Sequence, residues 1–435
     1  MSITRTRRIS RALPLIVAAA AVASLTACAG GGGTSESSSS SFGLLINDDN
    51  AVVQDTLTSL SKGACEAENA TAALSIDTVP QSGLDQQLQL LGGQNALPAQ
   101  FAASGSPAVT KDLNEAGQTL NLESALTDLG VIDDIEPAAM STIENIYGDF
   151  IVLPYQFNIE GVWYNKQIFA ENGIDVPKTW DDLVSAAKTL KAAGLTAFSA
   201  SGEQGWPITR LISGYLYREL GPDAMQKIAD GEAKLTDPEY VAAAQAIADL
   251  GAAGYFGEGV GSIDYDTAVS QFLTGQAGMF YMGSWTLGAF NDPDQNQIGE
   301  DNIGFFALPE VEGGAGSAAQ IPANVGLPIA VSAKSYDDNV GAWLSCIAEN
   351  YGAESLTEQG TISGFKTNGD VAGLPPLTQL TQDTIAQTEE TTLWFEALFG
   401  AKATTTSQQN AAQLVTGAIS AQDFMNLVQT DLDAE

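Results

Sequence analysis

Two tryptophans stand where an apolar run gives out. Gly283-Ser284-Trp285 follows the run from Gly278 to Met282, and Trp206 closes the loop after the run Ala197 to Ala200. In an open α/β sheet, the carboxyl ends of the strands are where ligands sit. An aromatic ring at that edge can pack on the apolar face of a ligand. It cannot carry a proton. Asp48 and Asp49 follow a further run, Phe42 to Ile46, and Ser104 follows Leu97 to Ala103. These bring hydrogen-bonding groups to the same kind of edge. The chain contains no histidine, so the commonest general base and commonest metal ligand are both missing. No Gly-rich phosphate loop and no metal-type Cys or carboxylate spacing occurs. Such a set suits reversible binding better than a reaction, and neither a cofactor nor a metal is expected.

Periodicity supplies the elements that must hold these residues. Ala268, Val269, Phe272 and Leu273 share one helix face, and Gly275 suits the position after a helix end. Gly278 to Met282 shows almost no polar alternation, so that strand is expected to be covered on both faces. Helix patterns run over Val52 to Leu60, with Asp49 or Asn50 as N-cap, and over Ser82 to Leu91. Alternating strand and helix patterns predict a parallel α/β sheet. A long extended run from Ile151 to Tyr164 carries Pro154 near its start, which suits a strand crossing between domains. A second proline-bearing run, Asn324 to Val331, suggests another crossing, and Gly360 to Gly373 a third. Thr179 and Asp182 fit a capping box. Toward the end, helices are expected over 340–351, 353–359, 378–387, 394–399, 408–417 and 421–433.

The 435 residues exceed one compact core, so two domains are expected. Arg5, Arg7, Arg8 and Arg11 precede an apolar stretch from Leu13 to Leu25, the pattern of an export signal. Leu25-Thr26-Ala27-Cys28 then resembles a bacterial lipobox, which implies lipidation of Cys28 with diacylglycerol and palmitate after cleavage. The Gly/Ser-rich residues 29–41 would be a flexible tether. Removing residues 1–27 takes away four of 17 basic residues and none of 53 acidic ones, leaving a net charge of −40. A surface this acidic repels phosphate backbones, so nucleic acid is not an expected partner. In an exported chain, Cys65 and Cys346 are either bridged, making one domain from discontinuous sequence, or two buried thiols. A bridge is the expectation.

Four pieces in order carry a family resemblance. They are the lipobox and Ser-rich tether, Gly161-Val162-Trp163-Tyr164-Asn165-Lys166 with Phe169, Gly173-Ile174 with Pro177 to Leu183, and Phe272-x-x-Gly275-x-Ala277-Gly278-Met279 with Gly283-x-Trp285. Together the chain resembles the maltodextrin-binding-protein-like solute-binding proteins of ABC sugar importers, in lipoprotein form. The family's usual Pro-Asp near the end of the third segment is absent, where residues 96–101 read ALPAQF. The resemblance implies a two-lobed, type II periplasmic-binding-protein-like α/β fold with two or three hinge crossings. It implies that a monomer closes on a carbohydrate, an oligosaccharide above all, and delivers it to permease subunits at the outer face of the cytoplasmic membrane of a Gram-positive cell. Residues 1–27 would be the signal, 28–42 the anchor and tether, 43–157 plus 324–365 lobe 1, and 158–323 plus 366–435 lobe 2.

Sugars present apolar C–H faces and a rim of hydroxyls, so rings should pack the faces and amides or carboxylates the rim. Trp285, Trp206 and Trp394 are the expected platforms, with Phe395 as a substitute for Trp394 and Glu396 and Ser284 beside them. Asn158, Tyr155, Asp48, Asp49, Asn324 and Ser104 are the expected polar contacts. Each has a plain alternative role in the core or a cap. Trp163, Trp180 and Trp343 are read as core. Glu160 is ranked lower, on the expectation that alternation turns it away from Asn158. Arg210 and Arg218, the only arginines after the signal, fall in a helix pattern, which weighs against an anionic ligand. A surface glycoside hydrolase would need two carboxylates facing one bond, and no motif supports it. The same fold binding a peptide, amino acid or polyol is the other alternative.

Overall fold

The computed structural model describes residues 40–48, 50–80, 83–103, 107–326, 328–369 and 371–434. The export signal, Cys28, most of the tether, Asp49 and Ser104 lie outside the described residues. Eleven described strands follow in chain order: β1 Ser41–Asn47, β2 Ala73–Val79, β3 Gln100–Ala102, β4 Val152–Leu153, β5 Asn158–Asn165, β6 Thr196–Ser199, β7 Ala277–Gly283, β8 Ile303–Phe306, β9 Ile321–Asn324, β10 Ile329–Val331 and β11 Thr391–Thr392.

They form two sheets, one per lobe. The first runs β2-β1-β3-β10-β4, with β1, β2 and β3 parallel and β10 antiparallel to β3 and β4. The second runs β11-β9-β5-β7-β6, with β8 also paired to β5. Consecutive strands β4 and β5 belong to different sheets, and so do β9 and β10, which makes 154–157 and 325–328 two crossings. Both were marked by a proline-bearing apolar run. Residues 360–366 pass beside the first crossing: Phe157 N–H donates to Ile362 O at 3.0 Å and Gly364 N–H to Pro154 O at 2.8 Å. The chain then reaches β11 in the second sheet, the third passage.

β7 is buried at every position. Its side chains alternate between two cores: Phe280 and Met282 pack into the cluster that continues from the first sheet, Met279 and Tyr281 into a cluster on the opposite face. Both faces being covered is why the strand reads as unbroken apolar sequence. Trp163, Trp180 and Trp343 are buried as expected. Trp343 stacks on Phe42 with centroids 4.7 Å apart and donates to Ala72 O at 2.8 Å. The Thr179–Asp182 capping box forms in both directions.

Cys65 and Cys346 are bridged, with Cα atoms 5.8 Å apart across 281 residues of sequence. The bond ties the start of helix Glu66–Thr71 to helix Asp338–Gln359. Segments far apart in the sequence are therefore covalently joined. Replacing both cysteines by serine is expected to lower stability by about 2–5 kcal/mol, read as a shifted urea midpoint. The native chain should be lighter than its reduced form by two hydrogens.

Several local expectations are corrected. Helix Asp338–Gln359 is continuous rather than two pieces. Gly352 within it is a packing requirement, because a Cβ there would overlap the Lys366 and Phe365 carbonyls. Residues 395–398 form turns, not a helix. Asn50 occupies the N-cap of helix Ala51–Leu60 without a side-chain cap bond; its amide oxygen accepts from Gln156 Nε2 at 3.5 Å instead. Helices Leu122–Leu129 and Pro137–Tyr147 were not anticipated.

Candidate functional site

Trp206 begins helix Trp206–Leu220 directly after Gly205, whose φ of +74° and close approach to the Gln408 carbonyl admit no side chain. Trp285 lies in the turn after β7, and its ring folds back over Gly283, where any Cβ would overlap it. This is the steric reason for glycine two residues before the tryptophan. Trp394 sits just past β11. All three rings are half-buried. They meet at one guanidinium: Arg210 Cζ lies 4.8 Å from the Trp206 ring, 5.4 Å from Trp285 and 5.5 Å from Trp394. Trp206 and Trp285 are edge to face at 5.7 Å. Arg210 is one helical turn beyond Trp206, so both project from the same face.

Arg210 pairs with Glu160 on β5, which is 1% exposed. Asn324 Nδ2 also donates to Glu160 Oε1 at 3.3 Å, and Asn158 Nδ2 donates to Asn324 Oδ1 at 3.3 Å. Asn158 and Asn324 face each other directly in the β5–β9 register. Ser284 Oγ donates to Asn158 Oδ1 at 3.3 Å and accepts from Ile159 N–H at 3.2 Å. The turn carrying Trp285 is thus bolted to both crossings. A second buried carboxylate, Glu396, accepts from Thr209 at 2.5 Å and Ser407 at 2.9 Å. Burial pushes the carboxyls of Glu160 and Glu396 above the usual carboxylate range, and the Arg210 charge opposes this in both. Glu160 Oε2, Glu396 Oε2 and Arg210 Nε have no hydrogen-bond partner among the described residues.

Beside Trp285 is a cavity of about 290 Å³, lined by Gln156, Asn158 and Ser284 on one side and by residues 359–362 on the other. Gln156 is in turn joined to Asn50, the N-cap of helix Ala51–Leu60. The cavity wall thus draws on the first crossing, the β7 turn and the third passage together. A ring wall, a hydroxyl and two amides make a surface for a polar ligand with an apolar face.

Of the expected residues, the structure brings together Trp206, Trp285, Trp394, Asn158, Asn324 and Ser284. It does not bring Tyr155: this ring is fully buried, trades hydrogen bonds with Gln100 and packs edge-on against Tyr351. Phe395 is likewise core, between Phe399 and Phe424, because the turn sends neighbouring side chains in opposite directions. Glu396 is buried against Thr209 and Ser407 and does not line the cavity. Asp48 is exposed beyond β1, and Asn50 is the residue that reaches the crossing. The reason for ranking Glu160 lower does not hold, since a period of two puts it on the same face as Asn158, and both side chains bond Asn324. Arg210 had been placed in a helix pattern and given no role beside the rings, although its spacing from Trp206 was a usable signal. Gln156 was missed.

A family model described as bacterial extracellular solute-binding protein matches residues 55–353. An ABC transporter extracellular-binding protein of Pyrococcus horikoshii is 25% identical over 228 residues, half of this chain and 51% of its own length. A multiple sugar-binding protein of Streptococcus mutans is 28% identical over 193 residues, 42% of this chain and 43% of its own. The chain spans about half the length of these curated relatives. A solved chitin oligosaccharide binding protein is 27% identical with a TM-score of 0.70, covering 91% of this chain and 98% of its own.

Proposed function

Because the chain belongs to the bacterial extracellular solute-binding proteins, we propose that it captures a neutral carbohydrate outside the cell, an oligosaccharide rather than a single sugar, and delivers it to the permease of an ABC importer. The observation that carries this reading is the meeting of Trp206, Trp285 and Trp394 around Arg210, with Trp285 also walling the hinge cavity. Rings of this kind match sugar C–H faces, and the amides of Gln156 and Asn158 match hydroxyls. Arg210 does not argue for an anionic ligand, because Glu160 already takes its charge. The names of the Streptococcus mutans relative and of the chitin oligosaccharide binding protein point the same way.

Binding is non-catalytic in this reading. Glu160 and Glu396 are buried and engaged with Arg210, Thr209 and Ser407, so they do not face a common bond as hydrolysis requires. Lobe 1 would comprise 43–157 plus 324–365 and lobe 2 158–323 plus 366–435, closing about the crossings as a monomer. No helix among the described residues is long and apolar enough to cross a membrane. Attachment would come from lipid on Cys28 at the outer face of the cytoplasmic membrane, with residues 29–41 as tether. The test is titration with a panel of neutral oligosaccharides, followed by tryptophan fluorescence and product analysis. Saturable fluorescence change without products is expected; sustained turnover, or silence across the panel, overturns the reading.

A further inference from the structure

Trp285 is a wall of two spaces, not one. Besides the hinge cavity, it lines a groove of about 440 Å³ between helix Tyr265–Leu273 and residues 285–297. This size falls within the range of small-molecule sites, roughly 300–1,000 Å³, whereas the hinge cavity alone is at the lower edge. The groove has an apolar floor in Val269, Leu273 and Ala289 and a polar rim that includes Asp266, Asp294 and Gln297. Aromatic surface is continuous into it: the Tyr265 ring lies 6.2 Å from Trp206, and its hydroxyl is 3.3 Å from Thr286 Oγ1.

From this continuity we infer that the groove is a second glycan subsite, occupied by the distal units of the same linear oligosaccharide whose first units fill the hinge cavity. The inference rests on the carbohydrate reading above and adds a length requirement. A chain passing over Trp285 meets an apolar floor below and carboxylate and amide acceptors at the rim, the pairing that sugar faces and hydroxyls need. The rim carries acids and no cation among its lining residues, so an acidic glycan is repelled there. The ligand class is therefore a neutral linear oligosaccharide longer than a disaccharide.

The experiment is calorimetric titration with neutral xylo-, malto- and chito-oligosaccharides from mono- to hexasaccharide, on the wild type and on Ser270→Trp. Ser270 is an exposed helix residue lining the groove, so the larger ring fills the groove without entering the hinge cavity. Wild-type affinity should rise beyond the disaccharide. Ser270→Trp should lose about tenfold or more, on the order of 1.4 kcal/mol, for the longer chains only. Asp294→Ala with Gln297→Ala removes rim contacts without adding bulk, and should lower the same affinities if Ser270→Trp folds poorly. A wild type indifferent to length, or variants that match it at every length, overturns the subsite and leaves the hinge site standing. Absence of binding to every glycan overturns both.

Discussion

Arg210→Ala is expected to abolish detectable binding and to lower stability by about 3–5 kcal/mol, because it strands buried carboxylates without their cation. Glu160 is 1% exposed and pairs with Arg210 directly; Glu396 is 5% exposed and feels the same charge. The three tryptophan rings also lose the guanidinium they share. Two measurements separate charge from packing. In the first, Arg210→Met combined with Glu160→Gln should recover much of the lost stability, since a buried pair replaced by uncharged groups of similar volume is often near neutral. In the second, the defect should depend on pH. Both carboxyls already sit above their ordinary value in the folded state, and removing the cation raises them further. The folded state then holds more protons than the unfolded state from the ordinary carboxylate range upward. Stability must fall as pH rises through that interval and level off above the folded-state values. The deficit of Arg210→Ala should therefore be smaller at about pH 5 than at about pH 8. A deficit that is flat with pH and unchanged in the double variant would show that packing, not charge, holds the cluster.

Much of what surrounds this cluster was legible locally. The two-sided burial of β7, the glycine before Trp285, the Thr179–Asp182 capping box and both proline-marked crossings each follow from a few neighbouring residues. The Cys65–Cys346 bridge was the favoured of two readings for an exported chain, the other being two buried thiols. The centre of the candidate site did not follow in this way. Glu160 and Arg210 are 50 residues apart and meet only when helix Trp206–Leu220 packs against β7, the neighbour of β5 in the sheet. Their types alone read as a strand acid and a helix cation. Tyr155 failed for another reason: next to Pro154 in a crossing, its direction is set by the Tyr351 and Phe365 rings it packs against, which lie far downstream. The 394–399 segment has helix-like apolar spacing but is held as turns, with Trp394 at Arg210 and Phe395 in the opposite core.

Trp285→Ala should produce the largest selective loss of affinity, at least about tenfold, while the ligand-free protein stays folded and loses only a modest part of its stability. The ring is half-buried and lies over Gly283; its side-chain partners include an edge-to-face neighbour, Trp206, one cation, Arg210, and the Tyr265 hydroxyl. Contacts of those kinds contribute about 1–2 kcal/mol together. The Gly283 backbone beneath the ring needs no partner to keep its extended conformation, and Ser284 remains bolted to Asn158. The bound state has more to lose, because the same ring walls both the hinge cavity and the groove beyond it. Short and long oligosaccharides should both weaken, in contrast to the length-dependent defect of Ser270→Trp. Calorimetry on both variants, with thermal melts of each apo form, makes the comparison. Unaltered binding by Trp285→Ala would remove this residue from the site, and with it the link between the two spaces.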